Sequence, residues 1–183
     1  MSLSKLTIVI PTFYPGKIIK KCLASLPLNS EIIIIDNGDD PELEKIIKLQ
    51  KKKIKHYKVG DVGLPKSFNI ALKKSKNENI LITQPDVCFE KHSITNLMKA
   101  QKKYSKAGIV SPLLFEKKRY SQYDYLDLYL SKLGKLKNTR RPKRISILPS
   151  GDICVEAVNA TAMLIKKSVI KRVNGWDENI YTY

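Results

Sequence analysis

The chain of 183 residues contains no apolar run of the ~18 residues that a spanning helix requires. Its N-terminus also lacks the charged, apolar and small-residue succession of a secretory signal, so a cytoplasmic protein is expected. Cysteine is scarce. Cys22, Cys88 and Cys154 form an odd, widely separated set without metal-ligand spacing, and buried reduced thiols with no chemistry of their own are expected. Glycine is scarce too, and its placement excludes the common phosphate loops. There is no Gly-x-x-x-x-Gly-Lys-Ser/Thr run, and Gly60 and Gly63 lack the third glycine of the dinucleotide fingerprint, which argues against kinase-like and dehydrogenase-like sites. No zinc-finger spacing, RNA-recognition signature, Gly-x-x-Gly clamp or internal repeat is present.

Acidic residues are outnumbered, 17 against 34 basic, for a formal charge of +17. Such an excess fits nucleic acid, an anionic membrane surface or a polyanionic small substrate, as well as plain solvated lysine faces. Lys17, Lys20, Lys21, Lys45, Lys48 and Lys51 to Lys53 fall in helical stretches, where solvated faces are the simplest account. An apolar share of 43% and this length suit one soluble globular domain with a real core.

Three short apolar runs each stop abruptly in polar or acidic residues. Leu6 to Ile10 meets Pro11-Thr12-Phe13, Ile32 to Ile35 meets Asp36-Asn37-Gly38, and Ile80 to Ile82 meets Thr83-Gln84-Pro85-Asp86. Continuous β-branched runs without alternation are the signature of strands buried on both faces of a parallel sheet. Between them the period changes. Ile18, Ile19, Cys22, Leu23 and Leu26 make one helix face over Gly16 to Leu26, and Pro27 ends it. Asp39-Asp40-Pro41 opens a second helix lined by Leu43, Ile46, Ile47 and Leu49. Ile54 to Val59 reads as a strand, Gly60 to Gly63 as a turn, and Leu64 onward as a helix carrying Phe68, Ile70, Ala71 and Leu72. A helix from Ser93 to Lys106 and a strand from Gly108 to Ser111 follow. Glu116 to Pro149 joins a tyrosine and leucine cluster (Tyr120, Tyr123, Tyr125, Leu126, Leu128, Tyr129, Leu130, Leu133, Leu136) to a basic stretch (Lys135, Lys137, Arg140, Arg141, Lys143, Arg144) and reads as an insertion beside a cleft. Strands at Ile153 to Val158 and Ala162 to Ile165 and a helix from Lys167 to Val173 complete an α/β pattern.

In open α/β sheets ligands bind beyond the carboxyl ends of the strands, so Thr12, Asp36 and Asp86 mark one candidate cleft, with a nucleotide and a metal as the expected guests. Asp36 can accept from a ribose hydroxyl or a base N–H, or else cap its strand as an Asx-turn. Asp86 can hold a hard divalent cation against a diphosphate, or else cap a nearby turn. With no glycine loop to hold phosphates, a metal at Asp86 gains weight.

Val9-Ile10-Pro11-Thr12-Phe13, Ile34-Ile35-Asp36-Asn37-Gly38, Gly63 to Asn69 to Ala71, Thr83-Gln84-Pro85-Asp86-Val87, and Val158 to Ile165 leading to Gly175-Trp176-Asp177-Glu178 resemble, in order and spacing, the family 2 glycosyltransferases. The pattern is most similar to their bacterial rhamnosyltransferase and galactofuranosyltransferase branch. The resemblance implies a GT-A fold, a mostly parallel Rossmann-like sheet flanked by helices in a single domain over 4–183. Its nucleotide-sugar-binding half would span 4–112, the basic and aromatic insertion 113–150, and a partial acceptor-side half 151–183.

The resemblance also implies site roles. Pro11, Thr12 and Phe13 would contact the nucleoside, with Phe13 against the base, while Tyr14 stands where the family often has Asn. Asp36 would bind the uracil or thymine and ribose region. Lys66 and Asn69 would approach the diphosphate and ribose. Asp86 matches the last acid of the Asp-x-Asp metal motif, whose first acid is here Gln84, and would hold Mn2+ or Mg2+. Asn159 with Ala160, and Trp176, would lie near the acceptor. The family's general base belongs to a Glu-Asp pair expected directly after Tyr183, so the base is expected beyond this chain, with Asp177 or Glu178 as the substitutes within it.

The activity so implied is inverting transfer of a sugar from a UDP- or dTDP-linked donor to a glycan or lipid-linked acceptor in cell-surface polysaccharide synthesis. Contact of the 113–150 insertion with an anionic membrane at the inner face is a further expectation. The rival is a basic nucleic-acid-binding α/β module without activity. It explains the charge but gives no reason for acids at the ends of buried strands. A nucleotidyltransferase would show a glycine- and lysine-rich signature near its first strand, and Thr12 to Gly16 supplies none.

Overall fold

The computed structural model describes residues 3–116, 119–120, 128–130, 136–138, 151–152, 154 and 158–181. The chain forms two compact units, one of Met1–Val110 with Ala160–Tyr183 and one of Ser111–Asn159. In the first unit the elements run β1 (Leu6–Thr12), a 3-10 turn (Gly16–Ile18), α1 (Ile19–Ser25), β2 (Glu31–Asp36), α2 (Pro41–Lys48), β3 (Ile54–Lys58), α3 (Leu64–Lys74), β4 (Asn79–Thr83), α4 (Ser93–Lys103) and β5 (Ile109–Val110). The second unit holds two antiparallel ribbons, β6 (Phe115–Glu116) with β7 (Arg119–Tyr120), and β8 (Leu128–Leu130) with β9 (Leu136–Asn138). The first unit then closes with β10 (Ala162–Lys166) and α5 (Lys167–Arg172). The expected strand over Ile153 to Val158 falls largely outside the described residues. So do Tyr123, Tyr125, Leu126, Leu133, Lys135, Arg140, Arg141, Lys143 and Arg144 of the tyrosine and basic stretch.

The main sheet has the order β3-β2-β1-β4-β10-β5. β3, β2, β1 and β4 are parallel, while β10 runs antiparallel to both β4 and β5, so the sheet is mixed at one side. Ile32 to Ile35 are all fully buried, which is why the run does not alternate in polarity. Alternate residues face opposite ways. Leu6, Ile8, Ile10, Ile32, Ile34, Leu81 and Leu164 join α1, α2 and α4 in one cluster through Leu23, Leu43, Ile46, Ile94, Leu97 and Met98. Val9, Ile33 and Ile35 lie on the other face, where α3 packs against β1 and β2 with Phe68 and Ala71 buried.

Local chemistry sets the helix ends. Asp40 caps α2 by accepting from the Glu42 N–H at 2.9 Å, with Pro41 in the first turn, Glu42 and Glu44 near the positive end and Lys45 and Lys48 near the negative one. The single helix expected from Gly16 to Leu26 is split. Its start has no side-chain cap and tightens to a 3-10 turn, and Leu26, which precedes Pro27, is extended at φ −80°, ψ 152°. Among the described residues, no helix is long and apolar enough to cross a membrane.

Candidate functional site

The strand order reverses at β1, with β2 and β3 to one side and β4 to the other, which makes the carboxyl ends of β1 and β4 the switch point of the sheet. β1 outruns β4 there. Its register with β4 ends at Val9↔Ile82, while that with β2 continues to Thr12↔Asp36. Pro11 sits in the stretch that β4 no longer pairs, where a residue without an N–H is tolerated. Ligand crevices of open α/β sheets lie at such a point, and here the two strand ends lead into Phe13 and Tyr14 on one side and Gln84 to Asp86 on the other.

Asp36 is fully buried at the end of β2. Its Oδ1 accepts from the Gly38 N–H at 3.1 Å and the Thr12 hydroxyl at 3.4 Å, and its Oδ2 accepts from the Asp40 N–H at 3.3 Å and faces His56 Nε2 at 3.1 Å. A carboxylate has about four lone-pair positions, and these four groups occupy them. Asn37, also buried, ties the loop in the other direction. Its Nδ2 donates to the Thr12 carbonyl, and its Oδ1 accepts from the Val62 N–H at 3.3 Å and the Ser67 hydroxyl at 3.0 Å. The ends of β1 and β2 and the start of α3 are thereby pinned together.

Two exposed aromatics roof this loop. Phe13 and Tyr14 meet edge to face at 5.0 Å, and Tyr14 adopts φ +44°. A Cβ on Gly38 would stand 2.8 Å from the Tyr14 ring, so the ring can lie there only over glycine. Beside the loop, Lys58 bridges Asp39 at 2.6 Å and also Glu44. Hydrogen bonds donated to these carboxylates raise Lys58 above the ordinary lysine range, and the Lys58 hydrogen bond holds Glu44 below the usual carboxylate range.

α3 starts at Gly63 (φ +75°) with no side-chain cap, and its first turn carries the exposed Lys66. Uncapped first-turn N–H groups and an ammonium together favour an anion. Asn69, one turn on, reaches the segment after α5 instead of open solvent, bonding to the Trp176 backbone and to Glu178. Trp176 packs on Phe68 at 5.2 Å between ring centroids. Asp177 Oδ1 accepts from the N–H and the side-chain amide of Asn179, each at 3.0 Å.

Asp86 is exposed, in the turn after β4 that is closed by the Val87 N–H on the Gln84 carbonyl at 3.2 Å. Cys22 lies behind the same turn, with Sγ 3.6 Å from the Gln84 carbonyl. Burial first, then the charges at Cys88 and Asp86, push its thiol up to about 12. Burial of all three thiols is not what the fold provides: Cys88 and Cys154 are exposed, because they fall in segments outside the regular elements that form the core. Among the described residues, no group of three His, Cys, Asp or Glu is placed to hold a metal. A single exposed carboxylate such as Asp86 does fit a hard cation that shares its shell with phosphate oxygens and water, the usual habit of Mg2+.

The expected donor-side residues Pro11, Thr12, Phe13, Asp36, Lys66, Asn69 and Asp86 all belong to the sheet unit, as do Trp176, Asp177 and Glu178, while Asn159 belongs to the other unit. Sequence reasoning missed Asn37, His56 and Ser67. Asn37 was signalled by adjacency to Asp36. His56 was not, since only the β2–β3 register, which sets it beside Ile34, brings it on the same face to Asp36.

No curated protein matches the chain in sequence. Among solved structures it is similar to the mannosyltransferase PcManGT from Pyrobaculum calidifontis in complex with GDP-Man and Mn2+, with TM-score 0.66 and 14% identity over 96% of this chain and 48% of that one. It is also similar to S. aureus TarS 1-349, with TM-score 0.66 and 15% identity over 97% of this chain and 52% of that one, and to the same protein in complex with UDP, with TM-score 0.64. The chain thus spans about half the length of these structures. They share its fold, the GT-A arrangement of a mostly parallel, mixed sheet between helices. The family described as Glycosyl transferase family 2 matches residues 7–171, nearly the whole chain, and the protein belongs to that family.

Proposed function

We propose that this chain binds a nucleoside-diphosphate sugar in the β1/β4 crevice and serves inverting transfer of the sugar to a glycan or lipid-linked acceptor. The observation that carries the reading is the switch point of the sheet, where β1 outruns β4 and the two strand ends lead into Thr12 to Tyr14 and into Asp86. Support also comes from the neighbours, one of which holds GDP-Man with Mn2+ and another UDP. Family membership leaves the nucleic-acid-binding alternative without support.

In this reading Phe13 and Tyr14 offer ring faces to the base, on a loop that the buried Thr12, Asp36 and Gly38 hold in place. Lys66 and the uncapped start of α3 meet the diphosphate, where positive charge fixed in advance stabilises the departing group. Asp86 would hold Mn2+ or Mg2+, and when bound the ion supplies Lewis-acid neutralisation of the leaving diphosphate. Asp177 and Glu178, engaged with Asn179 and Asn69, shape the acceptor side. From the order of the motifs we read the donor as UDP- or dTDP-linked, with chemistry of the rhamnosyl or galactofuranosyl type, and the pathway as envelope polysaccharide synthesis. The basic and aromatic stretch 113–150 is the basis for peripheral contact with an anionic membrane from the cytoplasmic side.

Thermal unfolding with UDP, dTDP and GDP, each with and without Mn2+, on the native sequence and on Asp86→Ala, tests the core of this proposal. Ligand at about 100 times its dissociation constant adds about 2.7 kcal/mol, on the order of 5 to 10 °C for a chain of this size. A metal-dependent shift that Asp86→Ala abolishes is expected. No shift with any nucleotide would overturn the reading.

A further inference from the structure

Asn69 makes hydrogen bonds that its place on α3 does not require. Its Nδ2 donates to the Trp176 carbonyl at 2.9 Å and to Glu178 Oε1 at 2.9 Å, and its Oδ1 accepts from the Trp176 N–H at 3.0 Å. The side-chain amide thus pairs with both backbone groups of one residue, as a peptide unit would, and holds a carboxylate as well. Gly175 makes the approach possible for two separate reasons. It adopts φ +84°, and a Cβ there would stand 2.7 Å from Asn69 Oδ1. The segment is tied at its far end too, where the Tyr181 hydroxyl donates to Asp61 Oδ1 at 2.5 Å and the Tyr181 ring covers Gly63.

We propose that Asn69 is a positioning residue that registers the 175–181 segment on the donor-receiving helix, so that occupation of the donor site and the placement of Glu178 are coupled. The proposal rests on the donor reading given above. Lys66 and Asn69 are three residues apart, neighbours on one helical surface, so a diphosphate drawn to the first turn of α3 acts on the same short stretch that holds the segment. A clamp with no part in function would hold the segment equally with and without nucleotide. Coupling makes the segment respond.

Trp176 is the only tryptophan, so its emission reports the segment directly. The test titrates UDP, dTDP and GDP with Mg2+ while following Trp176 emission and, in parallel, thermal stability, in the native sequence, in Asn69→Ala and in Gly175→Ala. The native protein is expected to change its emission with the same nucleotide that stabilises it. Both variants are expected to emit at longer wavelength before any ligand is added, and to lose the nucleotide response. Gly175→Ala is the second arm because it leaves Asn69 in place and blocks only the approach. Native emission in either variant overturns the proposal. A nucleotide that stabilises the native protein without changing its emission overturns the coupling and leaves the donor reading intact. Absence of both responses in the native protein removes the donor reading and the coupling with it.

Discussion

Replacing Asp36 by Asn tests whether the buried carboxylate holds the loop in the absence of any ligand. The variant keeps the size of the side chain but converts one oxygen to an NH2 group. If the new amide nitrogen takes the Oδ2 place, it confronts the Asp40 N–H and His56; in the Oδ1 place, it confronts the Gly38 N–H and the Thr12 hydroxyl. Either orientation leaves a backbone N–H facing another donor in a site with no solvent exposure. An unsatisfied buried donor costs about 1–3 kcal/mol, and each lost bond to a charged group about 1.5–3 kcal/mol. Taken together, these losses place the cost at about 3–5 kcal/mol. At about 2–4 °C per kcal/mol for a chain of this length, Asp36→Asn should lower Tm by roughly 6 to 20 °C. Thermal unfolding followed by circular dichroism, without nucleotide, reads this directly. A variant within about 1 kcal/mol of the native protein would refute the reasoning, because a carboxylate that only awaits a nucleoside should lower affinity and spare Tm.

The other end of β2 has its own pH signature. Burial alone would raise Glu31, but hydrogen bonds from Lys55, the Lys76 N–H and Thr7 outweigh it and hold the carboxyl below its ordinary value of 4.5. A depressed acid stabilises fully above its unfolded value and loses that contribution as pH falls through the folded one, so Glu31→Gln should cost about 1–3 kcal/mol at neutral pH and less near pH 3. Urea unfolding at the two pH values checks it, and a gap that does not narrow in acid would contradict the sign. Thiol counting offers a second check: with Cys88 and Cys154 exposed and Cys22 buried with its thiol near 12, an aromatic disulfide reagent at pH 8 should titrate two thiols in the folded protein and the third only after unfolding.

The strands were legible because burial on both faces leaves them no polarity to alternate, and the start of α2 was legible because Asp40-Pro41 carries its own cap and first turn. The direction of β10 was not. An apolar run such as Ala162 to Ile165 reads the same whichever way it enters the sheet, and only pairing with Thr83 to Asn79 decides it. The three strand ends that carry Thr12, Asp36 and the Asp86 turn were legible, while the wiring between them was not. His56 reaches Asp36 through the register of β3, and Asn69 meets a segment more than a hundred residues away, a pairing that no local pattern encodes. The thiols misled for a related reason, since residue type predicts burial on average and Cys88 follows the turn after β4, where it is exposed.

β5 and β10 are antiparallel neighbours, with Ile109 beside Ile165 and Val110 beside Leu164, yet between them the chain builds the whole Ser111–Asn159 unit. In effect a hairpin has had its turn exchanged for a cassette. Closing a longer loop is cheap, about 0.6 kcal/mol for each doubling, so the sheet tolerates almost any content at that position as long as the chain re-enters beside β5. The content of the cassette can therefore change while the parallel strands on the far side of β4 keep their register.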